Sequence, residues 1–272
     1  MARATPRKAV YRWVLEGIPM QLPSFDGPFL ILAVTVLVAG IARGLSGFGT
    51  GLIVAPVAGA LYGPKAAFVI LVIIDSLPTI PVTIPALRIA VWRDVLPAVA
   101  GLMLFIPAGV YILTVADPVV LRWFICAAIL LCAAALWRGW RYQGERTPPK
   151  SFAVGAVAGV LSGVAQIPGP PVLVYWLASP LPAAIIRANL LSLFFISEIM
   201  SFATAWTSGL FEAPVVAIAL GVTPVYFAGL LGGWAAHGRT SDAHYRQITL
   251  SLVVLSAFLA LPWGDIAAAS GL

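Results

Sequence analysis

Four ionisable residues, Arg43, Asp75, Arg187 and Glu198, sit inside or at the edges of long apolar stretches. A charge is costly in such surroundings, so each must face a partner, a water-filled space or a ligand. Two of them stand beside unusual backbone composition. Arg43 precedes Gly44, Gly47, Gly49 and Gly51, and Arg187 follows Pro168, Gly169, Pro170 and Pro171. Glycine and proline at that density unwind a helix and free backbone N–H and C=O groups, which membrane depth tolerates only where protein or water satisfies them. Freed N–H groups at the start of a half-helix form an anion site, and a neighbouring guanidinium suits a sulfonate, sulfite, carboxylate or phosphate oxygen. The expected binding set is therefore Arg43, Arg187 and the backbone of 47–51 and 168–171. Thr50, Gln166, Tyr175 and Asn189 add hydroxyl and amide groups nearby. Asp75 and Glu198 are candidates to carry a coupling proton or cation. Plainer readings stand beside each: Arg43 snorkelling to the interface, Arg187 pairing with Asp75 or Glu198, glycines and hydroxyls serving helix packing.

The elements that hold these residues must be membrane helices. Of 272 residues, 61% are hydrophobic and only 10% charged, with mean hydropathy +1.01. That is too little charge to wet the surface of a soluble body, where roughly 25% is usual. A barrel would alternate apolar and polar residues, whereas runs such as 29–40 and 248–261 are apolar on every face. The fold class expected is all-α, a polytopic bundle. Eight apolar segments can be read, near 28–47, 65–87, 94–115, 118–138, 151–167, 182–208, 213–235 and 244–262.

Residues 1–27 read as a basic N-terminal tail, 28–140 and 151–262 as two transmembrane repeats, 141–150 as a polar linker and 263–272 as a C-terminal tail. The two halves align without a gap where they are most unusual. Residues 39–56 match 158–175, with Ala39/Ala158, Gly40/Gly159 and Gly44/Gly163 identical. Paired broken helices in two repeats are a plan common to secondary transporters. With the N-terminus in the cytoplasm, ten basic residues of the tail and loops fall inside and four outside, as the positive-inside rule asks. The last loop, with Arg239 and Arg246, has the wrong sign, and a re-entrant fifth segment would correct it.

The chain resembles the TauE/SafE family of sulfite and organosulfonate exporter-like permeases. Gly47-Phe-Gly-Thr-Gly51 leading to Pro56, Gly169-Pro-Pro171 leading to Tyr175, and Arg187-Ala-Asn189 carry the resemblance over residues 28–262. Thr50 in place of a glycine and the added Arg43 depart from the family pattern. The resemblance implies alternating-access export of a small sulfur-containing anion through a bacterial inner membrane.

Other classes fit less well. An anion channel without energy coupling would share the composition. An intramembrane serine protease would use Gly44-Leu-Ser-Gly47 with His237, but only His237 and His244 exist and both flank a polar loop. No metal-ligand spacing or cofactor motif is present, and Cys126 and Cys132 read as packing residues. The net charge of +6 is scattered over connections, which speaks against nucleic acid. The expected partners are the anion, lipid and a coupling ion; a homodimer is compatible with this plan.

Overall fold

The computed structural model describes residues 26–138, 144–177, 181–237 and Ser251. The eighth segment at 244–262 (apart from Ser251), His244 and both chain tails (apart from Asp26 and Gly27) lie outside the described residues, as do residues 141–143 of the expected linker.

All regular structure among the described residues is helical. The helices are α1 (Gly27–Ser46), α2 (Thr50–Tyr62), α3 (Pro64–Ser76), α4 (Ile80–Ile89), α5 (Trp92–Val115), α6 (Pro118–Trp137), α7 (Pro148–Ala165), α8 (Gly169–Leu177), α9 (Ala183–Thr207) and α10 (Ala213–His237). Boundaries follow local chemistry. Asp26 caps α1 by accepting the Phe29 N–H at 3.0 Å, and Pro28 occupies the first turn, where a missing N–H costs nothing. Asp117 does the same for α6, accepting from the N–H of Val119 at 2.8 Å.

Among the described residues, four helices are long and apolar enough to cross a membrane: α1, α5, α9 and α10. At 20 residues, α1 is about 30 Å long, the thickness of the hydrocarbon core. A fifth crossing forms if α3 and α4 count as one span bent by 68°. The segment expected as one helix at 65–87 is thus divided. Pro78 and Pro81 lack the N–H groups that would continue the ladder. The Thr79 hydroxyl takes up the slack by donating to the carbonyls of Asp75 at 2.6 Å and Ser76 at 3.0 Å. The chain is a multi-pass membrane protein. Its outward faces agree, since Leu30, Val34, Leu104, Val120 and Leu131 are each more than half exposed, as suits contact with lipid.

Two seams carry the most extensive packing, α1 on α10 and α5 on α7. Both run backbone to backbone. A Cβ on Gly40 or Gly44 would collide with the carbonyls of Tyr226 or Leu230, and one on Gly229 or Gly233 with those of Leu37 or Ile41. In the second seam Gly155, Gly159 and Gly163 meet the carbonyls of Ala98, Leu102 and Ile106. Without a hydrophobic drive between helices in lipid, such close approach supplies the van der Waals contact that holds a bundle together. Gly40, Gly44, Gly159 and Gly163 therefore serve packing rather than the breaks.

Candidate functional site

The seams bring two helix breaks together. Helix α1 stops at Ser46 and the chain resumes as α2 at Thr50; α7 stops at Ala165 and α8 starts at Gly169. In the gap-free register of the two halves these boundaries coincide residue for residue. Each first helix ends on a left-handed residue, Gly47 at φ 82° and Gln166 at φ 57°. The Gly47 N–H closes on the Arg43 carbonyl at 2.7 Å, and the Gln166 N–H on that of Ser162 at 2.8 Å. Glycine enters the left-handed region freely, whereas glutamine there costs about 1–2 kcal/mol. Gly49, at φ 112°, requires glycine as well. The breaks touch at Gly51, where any side chain would strike the Gln166 carbonyl.

Around this contact lies a cavity of about 20 Å³, lined by Arg43, Phe48, Gly49, Gly51, Leu52, Asp75, Gln166, Ile167, Pro168, Gly169, Pro170, Phe194 and Glu198. One water needs roughly 10–15 Å³ by this measure, so a water or two fits. Arg43, Asp75, Gln166 and Glu198 are each about 95% buried. The Arg43 guanidinium reaches Asp75 Oδ2 from Nη1 at 3.4 Å and lies over the Phe194 ring, 5.1 Å from its centre. Asp75 Oδ1 accepts from the Tyr226 hydroxyl and from Thr50 Oγ1 at 3.1 Å; those two hydroxyls are 3.0 Å apart. Asp75 is fully engaged. Three other polar atoms of the lining have no partner: Arg43 Nε, Gln166 Nε2 and Glu198 Oε2. Buried polar atoms are nearly always satisfied, so three orphans around one cavity mark a place for a ligand or water.

The half-helix termini contribute unequally. The N–H groups of Gly49, Thr50, Gly51 and Leu52 precede the first bond of α2, from the Ile53 N–H to the Gly49 carbonyl at 3.1 Å, so none has an acceptor within α2. No side chain caps this end. The second terminus was expected to supply donors in the same way, and that expectation is corrected. Pro168, Pro170 and Pro171 have no N–H, so Gly169 alone can donate there. Both termini still direct the positive end of a helix dipole toward the cavity.

Other expected site residues lie elsewhere. Gly47 faces the stem of Arg187. Arg187 itself donates from Nη2 to the Gly44 carbonyl at 2.8 Å, a cation at the C-terminal end of α1 rather than on the cavity wall. Asn189 accepts the Val91 N–H at 2.8 Å and holds the turn between α4 and α5. The Tyr175 hydroxyl meets Ser151 Oγ at 2.9 Å, away from the cavity. Thr50 stands behind Asp75. Ser46, the nucleophile of the protease reading, spends its hydroxyl on the backbone of its own helix end, 2.7 Å from the carbonyls of Ala42 and Phe48. Among the described residues no group of three His, Cys, Asp or Glu side chains could hold a metal. Tyr226 and Phe194 were not expected. Tyr226 meets Thr50 across 176 residues, and nothing in its local sequence sets it apart.

Comparison with known proteins gives two matches. The family model described as "Sulfite exporter TauE/SafE" matches residues 32–259. A protein of Cupriavidus necator, described as "Probable sulfite/organosulfonate exporter TauE", is 28% identical over 195 residues, covering 69% of this chain and 76% of the relative. No solved structure matches.

Proposed function

The chain belongs to the sulfite exporter TauE/SafE family, and from that premise we propose that it is a secondary transporter. Its cargo is a small sulfur-containing anion such as sulfite or an organosulfonate, moved outward across a bacterial inner membrane by alternating access. One observation carries this reading. Arg43, the uncapped start of α2 and the Gln166 amide converge on a buried cavity between two register-matched breaks. Donors of this kind recognise oxyanions, and their place between half-helices is where transporters of repeat architecture bind substrate.

The fuller architecture follows from the same features. We read eight spans in two repeats, with 244–262 as the last and the N-terminus in the cytoplasm. Supporting this, α1 packs on the third unit of the other half, α10, and α7 reciprocates on α5. Two broken-helix units exchanged in this way can rock against the opposite halves, which is the motion alternating access needs. A cavity with room for a water or two argues against a standing channel.

The test is thermal unfolding of the purified protein against sulfite, thiosulfate, isethionate, taurine, sulfoacetate and carboxylate analogues. A ligand at one hundred times its Kd stabilises the folded state by about 2.7 kcal/mol. Stabilisation by one or more sulfur oxyanions, lost in Arg43→Ala while the variant stays folded, is the expected result. Unchanged affinity in Arg43→Ala removes this cavity from the transport path.

A further inference from the structure

The cavity holds one cation and two carboxyl groups, and the cation is already taken. Arg43 is drawn to Asp75, whose other oxygen accepts two hydroxyls. Glu198 faces the same space from α9, about 95% buried, with Oε2 unpartnered and no second cation among the lining residues. The groups that share this space are Arg43 from α1, Asp75 from α3, Gln166 at the end of α7 and Phe194 one turn earlier on α9, while Thr50 from α2 and Tyr226 from α10 stand behind Asp75, bonded to its Oδ1. With both carboxyls ionised the cluster carries a net negative charge before any anion arrives. Adding an anion to it would place three negative groups around one guanidinium in a space with room for only a water or two to screen them.

We propose that Glu198 is a proton-binding residue, and that the site takes up one proton on this carboxyl together with its anion. The inference rests on the cavity being the anion site. A proton fits the geometry better than a metal cation. Asp75 has spent its oxygens on Arg43, Thr50 and Tyr226, so the oxygen-rich shell a cation requires is missing. A neutral carboxylic acid also gains an O–H donor, which can point at the anion. A monovalent anion carried with a proton crosses without net charge. Transport then follows the anion and pH gradients and is indifferent to membrane voltage.

Isethionate is a suitable probe, because its sulfonate does not titrate near neutrality. Its binding to the full-length protein in detergent is measured by calorimetry at several pH values, in buffers of differing ionisation enthalpy, with sodium or choline as the counterion. The expected result is uptake of about one proton per anion. Affinity then falls about tenfold per pH unit once Glu198 ionises in the free protein. Glu198→Gln, which keeps the shape and the neutral state, binds isethionate with no proton uptake and no pH dependence. The wild-type pH series decides the question even if that variant does not fold. Tight binding without proton uptake, or uptake that depends on sodium, overturns the proposal and leaves the anion site standing. Uptake that survives in Glu198→Gln and vanishes in Asp75→Asn overturns the assignment to Glu198. Failure of isethionate and of every other sulfur oxyanion to bind overturns the anion site itself, and this proposal with it.

Discussion

The two breaks share a backbone and differ in chemistry. Helix ends, left-handed caps and glycine seams correspond between 40–50 and 159–169, yet the position of Arg43 in the first half holds Ser162 in the second. Each side chain reaches the next unit of its own half. Arg43 meets Asp75 as an ion pair at 3.4 Å, while Ser162 meets Ser197 as two hydroxyls 2.8 Å apart. The first terminus offers four backbone donors and the second, through its prolines, only Gly169. On the transport reading proposed above, symmetry belongs to the parts that would move and asymmetry to the parts that would hold. A conformational exchange between two equivalent poses needs matched seams, whereas recognition of one ligand needs a single orientation of charge.

The largest effects should test the symmetric part. Gly44→Val and Gly163→Val each drive a branched side chain into a carbonyl of the facing helix. Neither backbone can retreat without opening its seam, and overpacking of a rigid contact costs about 1–3 kcal/mol or more. Both variants should lose most folded protein in detergent, by size-exclusion chromatography, to similar extents. A severe loss in one with a silent partner would break the equivalence of the halves.

A middle-sized effect separates the caps. Gln166→Gly relieves the left-handed strain but gives up the side chain that accepts from Ser162 at 3.2 Å and presents a free amide to the cavity. Strain relief of about 1–2 kcal/mol is set against the greater freedom of glycine in the unfolded chain and one lost hydrogen bond, about 1 kcal/mol each, so stability should fall by no more than about 1 kcal/mol. Affinity for a bound oxyanion should fall about tenfold if the amide donates to it. A large loss of stability at unchanged affinity would make Gln166 a structural cap, like Gly47.

The smallest effect sharpens the contrast between termini. Pro170→Ala restores one N–H at the start of α8, facing the cavity. Anion binding should tighten by a few-fold, in keeping with about 1 kcal/mol for an added hydrogen bond. Unchanged binding in a calorimetric titration would place the anion at the α2 side alone.

Much of this arrangement could be read in the sequence. The breaks were legible because glycine and proline are dense there, and the pairing of 47–51 with 166–170 because the halves align without a gap. Arg43, Asp75 and Glu198 stood out because ionisable residues are expensive in apolar sequence. What escaped was geometry between distant elements. That Arg43 and Asp75 meet depends on how α1 and α3 each pack on α10, and Tyr226 joins them from that same helix. Arg187 carried the same signature as Arg43, a cation near a break, yet it serves a helix end. Its placement follows from where α9 passes α1, which local composition does not encode. The short helices α2 and α8 were hidden for another reason. At 13 and 9 residues they are too brief to read as spans, and they merged with the breaks that define them.

The seams also set an order for biosynthesis. Helix α5 ends at Val115 and its partner α7 begins at Pro148, so the second seam can close soon after both are made. Helix α1 is synthesised first and its partner α10 nearly last. At translation rates of about 5–20 residues per second, α1 waits roughly ten to forty seconds in the bilayer. During that interval Gly40 and Gly44 present a bare strip of backbone to lipid or to an insertion chaperone. The nascent protein is therefore most vulnerable at the first described helix until the last described one closes that seam.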